Sequence, residues 1–507
     1  MIAFLHGLAS DAMILHAPAL LVAVPLIFSA VITFLPSGRV AWLVTVLVSL
    51  FSLWCAAILQ HEVSLNGPIS YALGGFPPPI GIEFRVDALN TLFLLLVTGI
   101  GFLAAIGSWA TVNAEMRDTR INLFYAAYLV CFTGLAGVAI TNDAFNLFVF
   151  LEISSIATYV LVGVGARRDR RALPAAFNYL IMGTIGATFF VIGVGFLYAA
   201  TGTLNLTDLA ARIPDSESPR AVQAGLAFIV VGLGLKLAMY PLHQWLPNAY
   251  AYAPSFVTVF LSATATKVSF YALVRFLTYV FPEVDAENIL FTAVFAPLGI
   301  AAMIICSFQA VFQVDVRRTL AYSSVAQVGY MLLGLSLATA VGLSASLLFL
   351  FNHALMKGAL FLALAGVVLH YQGTQMRDMA GLGRQAPWTM TAFAICALSL
   401  IGVPLTAGFA SKVTLLSACF DKGWWWAAFV IVGASLLAVV YMGRIIEAAF
   451  FRAPANPQKL RKEAPVSLLV PLWFLAIANI WIGFDASFPA GLADDAAGAA
   501  LSTMVRP

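Results

Sequence analysis

Apolar runs of about 20 residues recur along the whole sequence, the length a helix needs to cross the hydrocarbon core of a bilayer. They lie near 17–35, 40–60, 87–110, 121–140, 143–164, 174–200, 222–245, 255–280, 289–312, 319–339, 342–370, 388–419, 424–450 and 465–484. Lipid offers the backbone no hydrogen bonds, so only helices or a closed barrel can span it. A barrel would be written in short alternating strands, which are absent. Charged residues make up 10% of the 507, against about 25% in soluble proteins. The expected fold is an all-α polytopic membrane protein of about 14 transmembrane helices, one membrane domain over residues 1–507. Two polar segments, 61–86 and 202–220, are long enough for small extramembrane structure.

Loop charges set an orientation. Segments leaving odd-numbered spans carry Arg39, Arg117, Arg120, Arg167, Arg168, Arg170, Arg171, Arg317, Arg318, Arg377, Arg384, Arg452, Lys459, Arg461 and Lys462. Segments leaving even-numbered spans carry only Arg85, Arg212, Arg220 and Lys422. The positive-inside rule then places the first set in the cytoplasm and both termini outside. No Lys or Arg precedes the first apolar run, so a cleavable signal peptide lacks its positive region and targeting is expected to rest on the spans.

Six cations fall inside the apolar runs: Lys236, Lys267, Arg275, Lys357, Lys412 and Arg444. A desolvated lysine can give up its proton, whereas an arginine effectively cannot. The fifth span holds one carboxylate near its middle, Glu152, where a charge costs about 3 kcal/mol on insertion scales. Such a group is by default functional and paired, and Lys236 is its expected partner. His353 and Lys357 are four apart and share one helix face, as suits a proton path; His353 could instead satisfy a backbone carbonyl. Arg275 reads as a snorkelling residue near a span end, Arg444 and Glu447 as a mutually neutralising pair, and Asp143 as a helix cap.

Pro241 should break the seventh span just after Lys236, and His243 follows that break. Gly402, Pro404 and Gly408 weaken the twelfth span before Lys412. Interrupted spans in corresponding places point to an ion site in a repeat-built transporter. They lie five spans apart, and a five-span repeat, being odd in number, would be inverted, over 121–280 and 289–450. The cysteines (Cys55, Cys131, Cys306, Cys396, Cys419) have no metal or redox spacing, and no nucleotide loop, haem motif or nucleophile triad appears. No cofactor and no metal are expected.

Several stretches together resemble one family. They are Phe-Asn-Leu-Phe-Val-Phe-Leu-Glu (145–152), Gly-Leu-Lys-Leu-Ala-Met-Tyr-Pro-Leu-His-Gln-Trp-Leu-Pro (234–247), Lys-Val-Ser-Phe-Tyr-Ala-Leu-Val-Arg (267–275), Asp-Val-Arg-Arg-Thr-Leu-Ala-Tyr-Ser-Ser-Val-Ala-Gln-Val-Gly-Tyr (315–330), Asn-His-Ala-Leu-Met-Lys (352–357) and Gly-Phe-Ala-Ser-Lys (408–412). The chain resembles the antiporter-like subunits shared by Mrp-type cation/proton antiporters, respiratory complex I and membrane-bound hydrogenases. Within them it looks most like the D-type subunit of the Mrp antiporters. The resemblance implies 14 helices with two inverted five-helix repeats. It also implies a proton path through Glu152, Lys236, Lys267 and Lys412, with His353 and Lys357 between the last two and His243 as a further member. Partners would be other subunits of a bacterial inner-membrane complex, with protons and a monovalent cation, Na+ by this likeness, as cargo and no nucleic acid. Such a subunit is a secondary antiporter component, and an enzyme subunit only within a redox complex. Asn-Ala-Tyr-Ala-Tyr-Ala-Pro (248–254) and Gln327, where some relatives have histidine, depart from the pattern. A stand-alone solute transporter and a scaffold locked by charge pairs are the competing readings.

Overall fold

The computed structural model describes residues 10–116, 121–281, 290–371, 373–454 and 462–501. Arg117, Arg120, Lys459, Arg461 and Arg506 lie outside the described residues. Twelve of the described helices are long and apolar enough to cross a membrane. Two further expected spans differ for physical reasons. Val316–Ser336 has the length, 21 residues, but is less apolar. The span near 388–419 is two helices of 15 residues each, Pro387–Ile401 and Ala407–Asp421.

In chain order, α1 (Asp11–Thr33) and α2 (Gly38–Asn66) lead into an antiparallel hairpin, β1 (Ile69–Ala72) and β2 (Glu83–Val86), with Ile69 opposite Val86. Then follow α3 (Ala88–Glu115), α4 (Ile121–Ile140) and α5 (Ala144–Gly163). Asp87 and Asn90 cap α3 reciprocally, satisfying amides that a buried helix start would otherwise leave bare. Asp143 caps α5 as expected, accepting from the Asn146 amide at 2.7 Å. The next elements are α6 (Ala172–Thr201), the short α7 (Leu206–Arg212), α8 (Pro219–Leu237), α9 (Trp245–Tyr252) and α10 (Ser255–Arg275), which runs on as a π-helical turn to Val280. The remainder is α11 (Leu290–Val311), with two π-helical stretches, α12 (Val316–Ser336), α13 (Ala340–Tyr371), α14 (Pro387–Ile401), α15 (Ala407–Asp421), α16 (Trp425–Phe451), α17 (Val466–Phe484) and α18 (Ser487–Leu501).

Burial sorts these helices. In α10 and α13, 94% and 89% of the most apolar stretch is covered by other helices, against 33% in α1 and α16. The first two are the axis of the bundle and the last two belong to its rim. Two polar knots close the ends. At one end Arg317 donates to the carbonyls of Ala251 and Ala253 and to Ser255, which also bonds Glu115. At the other, Glu83 accepts from Ser70, Asn142 and Asn205.

Candidate functional site: a buried row of titratable side chains

Lys236 sits in the last turn of α8, which stops at Leu237 because Ala238 turns left-handed at φ 59°. The chain then reverses through a connector containing the cis Tyr240–Pro241 bond before α9 begins at Trp245. Trp245 donates to the carbonyl of Leu235 at 3.0 Å, tying the second half-helix to the first. The wall behind Lys236 is close-packed. A Cβ at Gly232 would lie 2.6 Å from the carbonyl oxygen of Gly186 on α6, so only glycine permits that approach.

Here the expected pair is formed. Lys236 Nζ donates to Glu152 Oε1 at 2.9 Å and to Ser155 Oγ at 2.7 Å. The lysine side chain is 6% exposed and the glutamate 22%, so the carboxylate reaches toward the perimeter of the chain while the ammonium lies inside. Ser155 went unnoticed in the sequence. Its spacing of three from Glu152 on one helix was the available signal.

Lys267, Lys357 and His353 are fully buried in α10 and α13. Lys267 Nζ donates to its own helix at Ser262 O, 2.5 Å away. Lys357 Nζ donates to Leu320 O at 2.7 Å and Ser323 Oγ at 2.5 Å, both on α12. Neither ring nitrogen of His353 has a hydrogen-bond partner among the described residues, so it does not serve a backbone carbonyl there. Lys267 lies on α10, and His353 and Lys357 lie on α13, a helix packed directly against it.

Lys412 belongs to the second interruption. Helix α14 ends at Ile401, Gly402 turns left-handed at φ 91°, and α15 begins at Ala407. Lys412 Nζ reaches back to the carbonyls of Leu400 at 3.3 Å and Ile401 at 2.6 Å. It is 6% exposed, so its ammonium stays inside the protein. His243 lies in the first interruption, stacked on Tyr240 and 3.7 Å through Nε2 from Cys306 Sγ, in a cleft shared with Gln309 and Tyr322.

Three further charges resolve differently from expectation. Arg275 is locked inside, donating to Asp87 at 2.7 and 2.9 Å and to Asn90 at 2.7 Å. Glu447 pairs with Arg452 at 2.7 Å rather than with Arg444, because Arg444 turns to the carbonyl of Val311. The described residues contain no cluster of three or more His, Cys, Asp or Glu able to hold a metal.

Residues 141–438 match the family described as NADH:quinone oxidoreductase/Mrp antiporter, transmembrane. The N-type subunit of the NADH-quinone oxidoreductase of Desulforudis audaxviator is 40% identical over 487 residues, covering 92% of this chain and 95% of the relative. The D-type subunit of the Na(+)/H(+) antiporter of Alkalihalophilus pseudofirmus is 30% identical over 84% of this chain and 85% of its own length. Among solved structures, a chain of the Mrp complex from Dietzia sp. superposes with a TM-score of 0.87 at 26% identity, covering 96% of this chain and 97% of that one. The matched segment holds the whole lysine row from Glu152 to Lys412, and this multi-pass membrane protein belongs to the NADH:quinone oxidoreductase/Mrp antiporter transmembrane family.

Proposed function

We propose that the chain is the proton-translocating subunit of a multisubunit monovalent cation/proton antiporter, with Na+ the exchanged cation, working beside partner subunits in a bacterial inner membrane with both termini on the periplasmic side. The observation that carries this reading is the Glu152–Lys236 contact at 2.9 Å, within a chain that buries three more lysines among carbonyls and hydroxyls. Four buried ammoniums carry a heavy desolvation cost, and among the described residues only Lys236 has a carboxylate against it. A scaffold locked by charge pairs would hold its lysines against acids, and the Lys267, Lys357 and Lys412 partners argue against one.

In this mechanism Glu152 holds the ammonium of Lys236 until the pair opens. The freed proton passes to the group formed by Lys267, His353 and Lys357, and then to Lys412. His353, with both ring nitrogens free of partners among the described residues, can accept a proton on one side and return it on the other. His243 lies beside the seventh-span break as a lateral way in. The two interrupted helices sit in residues 121–280 and 289–450, the segments this reading takes as inverted five-helix repeats.

A second reading has its own support: the 40% identity to an N-type NADH-quinone oxidoreductase subunit favours a proton-pumping subunit of a redox complex. Both readings use the same row, so co-purification separates them. Iron–sulfur or flavin absorption in the intact complex would select the redox assembly. The proton path itself is tested by Glu152→Gln in vesicles holding the intact complex. Cation-dependent proton flux should fall by about 100-fold or more with assembly retained, the scale of a removed proton-transfer group. Undiminished flux would overturn the reading.

A further inference from the structure

The charge on Lys412 is held by neutral groups. Its two carbonyl partners are the last of α14, where the helix dipole is negative. A third contact completes the cradle: Nζ lies 5.4 Å from the centre of the Tyr330 ring on α12. Tyr330 is 1% exposed and its ring is fixed on two sides. It stacks on Phe349 at 5.0 Å and 11°, and its hydroxyl lies 3.4 Å from both Ile431 O and Ser435 Oγ on α16. The floor of the cradle is Gly402, where a Cβ would come within 2.8 Å of Lys412 Cδ.

We propose that Tyr330 is a positioning residue for proton transfer, presenting the negative face of its ring to the ammonium of Lys412 in place of a carboxylate. A cation over an aromatic face is attracted by the ring quadrupole, and more strongly where water is excluded. A carboxylate would form a pair that must be broken before each transfer. A ring and two carbonyls hold the loaded ammonium in place and leave no counter-charge behind when the proton departs. The ring face is therefore the part that acts on the ammonium, and the hydroxyl adds only two long contacts at 3.4 Å beside the stack on Phe349.

This inference rests on the proton-path reading, and its test separates the two. Proton flux is measured in vesicles holding the intact complex with Tyr330→Phe, and with phenylalanine at 330 carrying one, two or three ring fluorines. Fluorine drains the ring face and changes its size little. Tyr330→Phe should keep most of the flux, and each fluorine should lower it about threefold, as expected if the desolvated cation–π contact governs loading. A purely structural ring would tolerate the whole series equally. Flat flux across the fluorinated set, or loss already complete in Tyr330→Phe, overturns the proposal. Glu152→Gln run alongside identifies the level of failure. If Glu152→Gln abolishes flux while the fluorine series is flat, only the role of Tyr330 falls; if Glu152→Gln is harmless, the proton path falls with it.

Discussion

The two interrupted helices bring an ammonium to the same place by different means. In both, a half-helix ends on a left-handed residue, Ala238 at φ 59° in the first and Gly402 at φ 91° in the second, and a buried lysine lies within reach of the break. Lys236 belongs to the half-helix that ends there, and Lys412 to the one that begins after the break, reaching back across it. The first ammonium faces a carboxylate from a third helix, and the second faces carbonyls and an aromatic ring. In the proposed path the carboxylate would act as a gate, because two charges must part before the proton moves. The cradle of neutral groups would act as a store, because its partners stay put. The molecule puts a charge pair at one break and a neutral cradle at the other.

The comparison breaks most visibly when each lysine is removed. Lys236→Met leaves Glu152 without its cation, and unfolding of the assembled complex should ease by about 3 kcal/mol, the low end for a broken buried pair because the carboxylate is partly exposed. Lys412→Met orphans no charge and should cost about 1 kcal/mol, since two carbonyls lose a donor. Thermal melts of the two variants check the order; equal losses would erase the distinction. The breaks themselves come next. Gly402→Ala forces a side chain into a left-handed position and against Lys412, and should cost about 2 kcal/mol together with much of the proton flux. Ala238→Gly relieves the same conformation and should raise stability by about 1 kcal/mol with flux unchanged.

The smallest effect lies outside the row, in the knot at the hairpin end. Burial pushes the Glu83 carboxyl up, but hydrogen bonds from Ser70, Asn205 and Asn142 win and hold it below the ordinary carboxylate value. A lowered folded value means the stabilisation is in place above the usual carboxylate range and is lost as pH falls through the lowered value. Glu83→Gln should therefore flatten the acid limb of the melting curve and leave neutral-pH flux alone.

Much of this was written in the sequence because lipid makes charge conspicuous. Glu152, Lys236 and the break at Pro241 stood out against apolar neighbours, and the structure joins the two charges as their positions implied. What stayed hidden was written in ordinary residues or at long range. Arg275 looked like a span-end cation because its acid, Asp87, lies 188 positions away in the cap of α3. Tyr330 was one aromatic residue among many, and only the fold brings it over Lys412. Arg444 and Glu447 had the right spacing to pair, yet a carbonyl on α11 and the next arginine along outcompeted that spacing. The polar segment 61–86 did announce extramembrane structure, and the hairpin occupies it, whereas α18 is too short and too weakly apolar to register as a span.

The central claim is that Glu152 and Lys236 act as one unit, and a double-mutant cycle on proton flux tests it most directly. Glu152→Gln, Lys236→Gln and the combined variant are compared in vesicles holding equal amounts of intact complex. If the pair is one gate, each single change removes nearly all the flux and the double variant is no worse than either, because groups that act together are strongly non-additive. If the two losses multiply, the residues work separately, and the account of a gate at the first break is wrong.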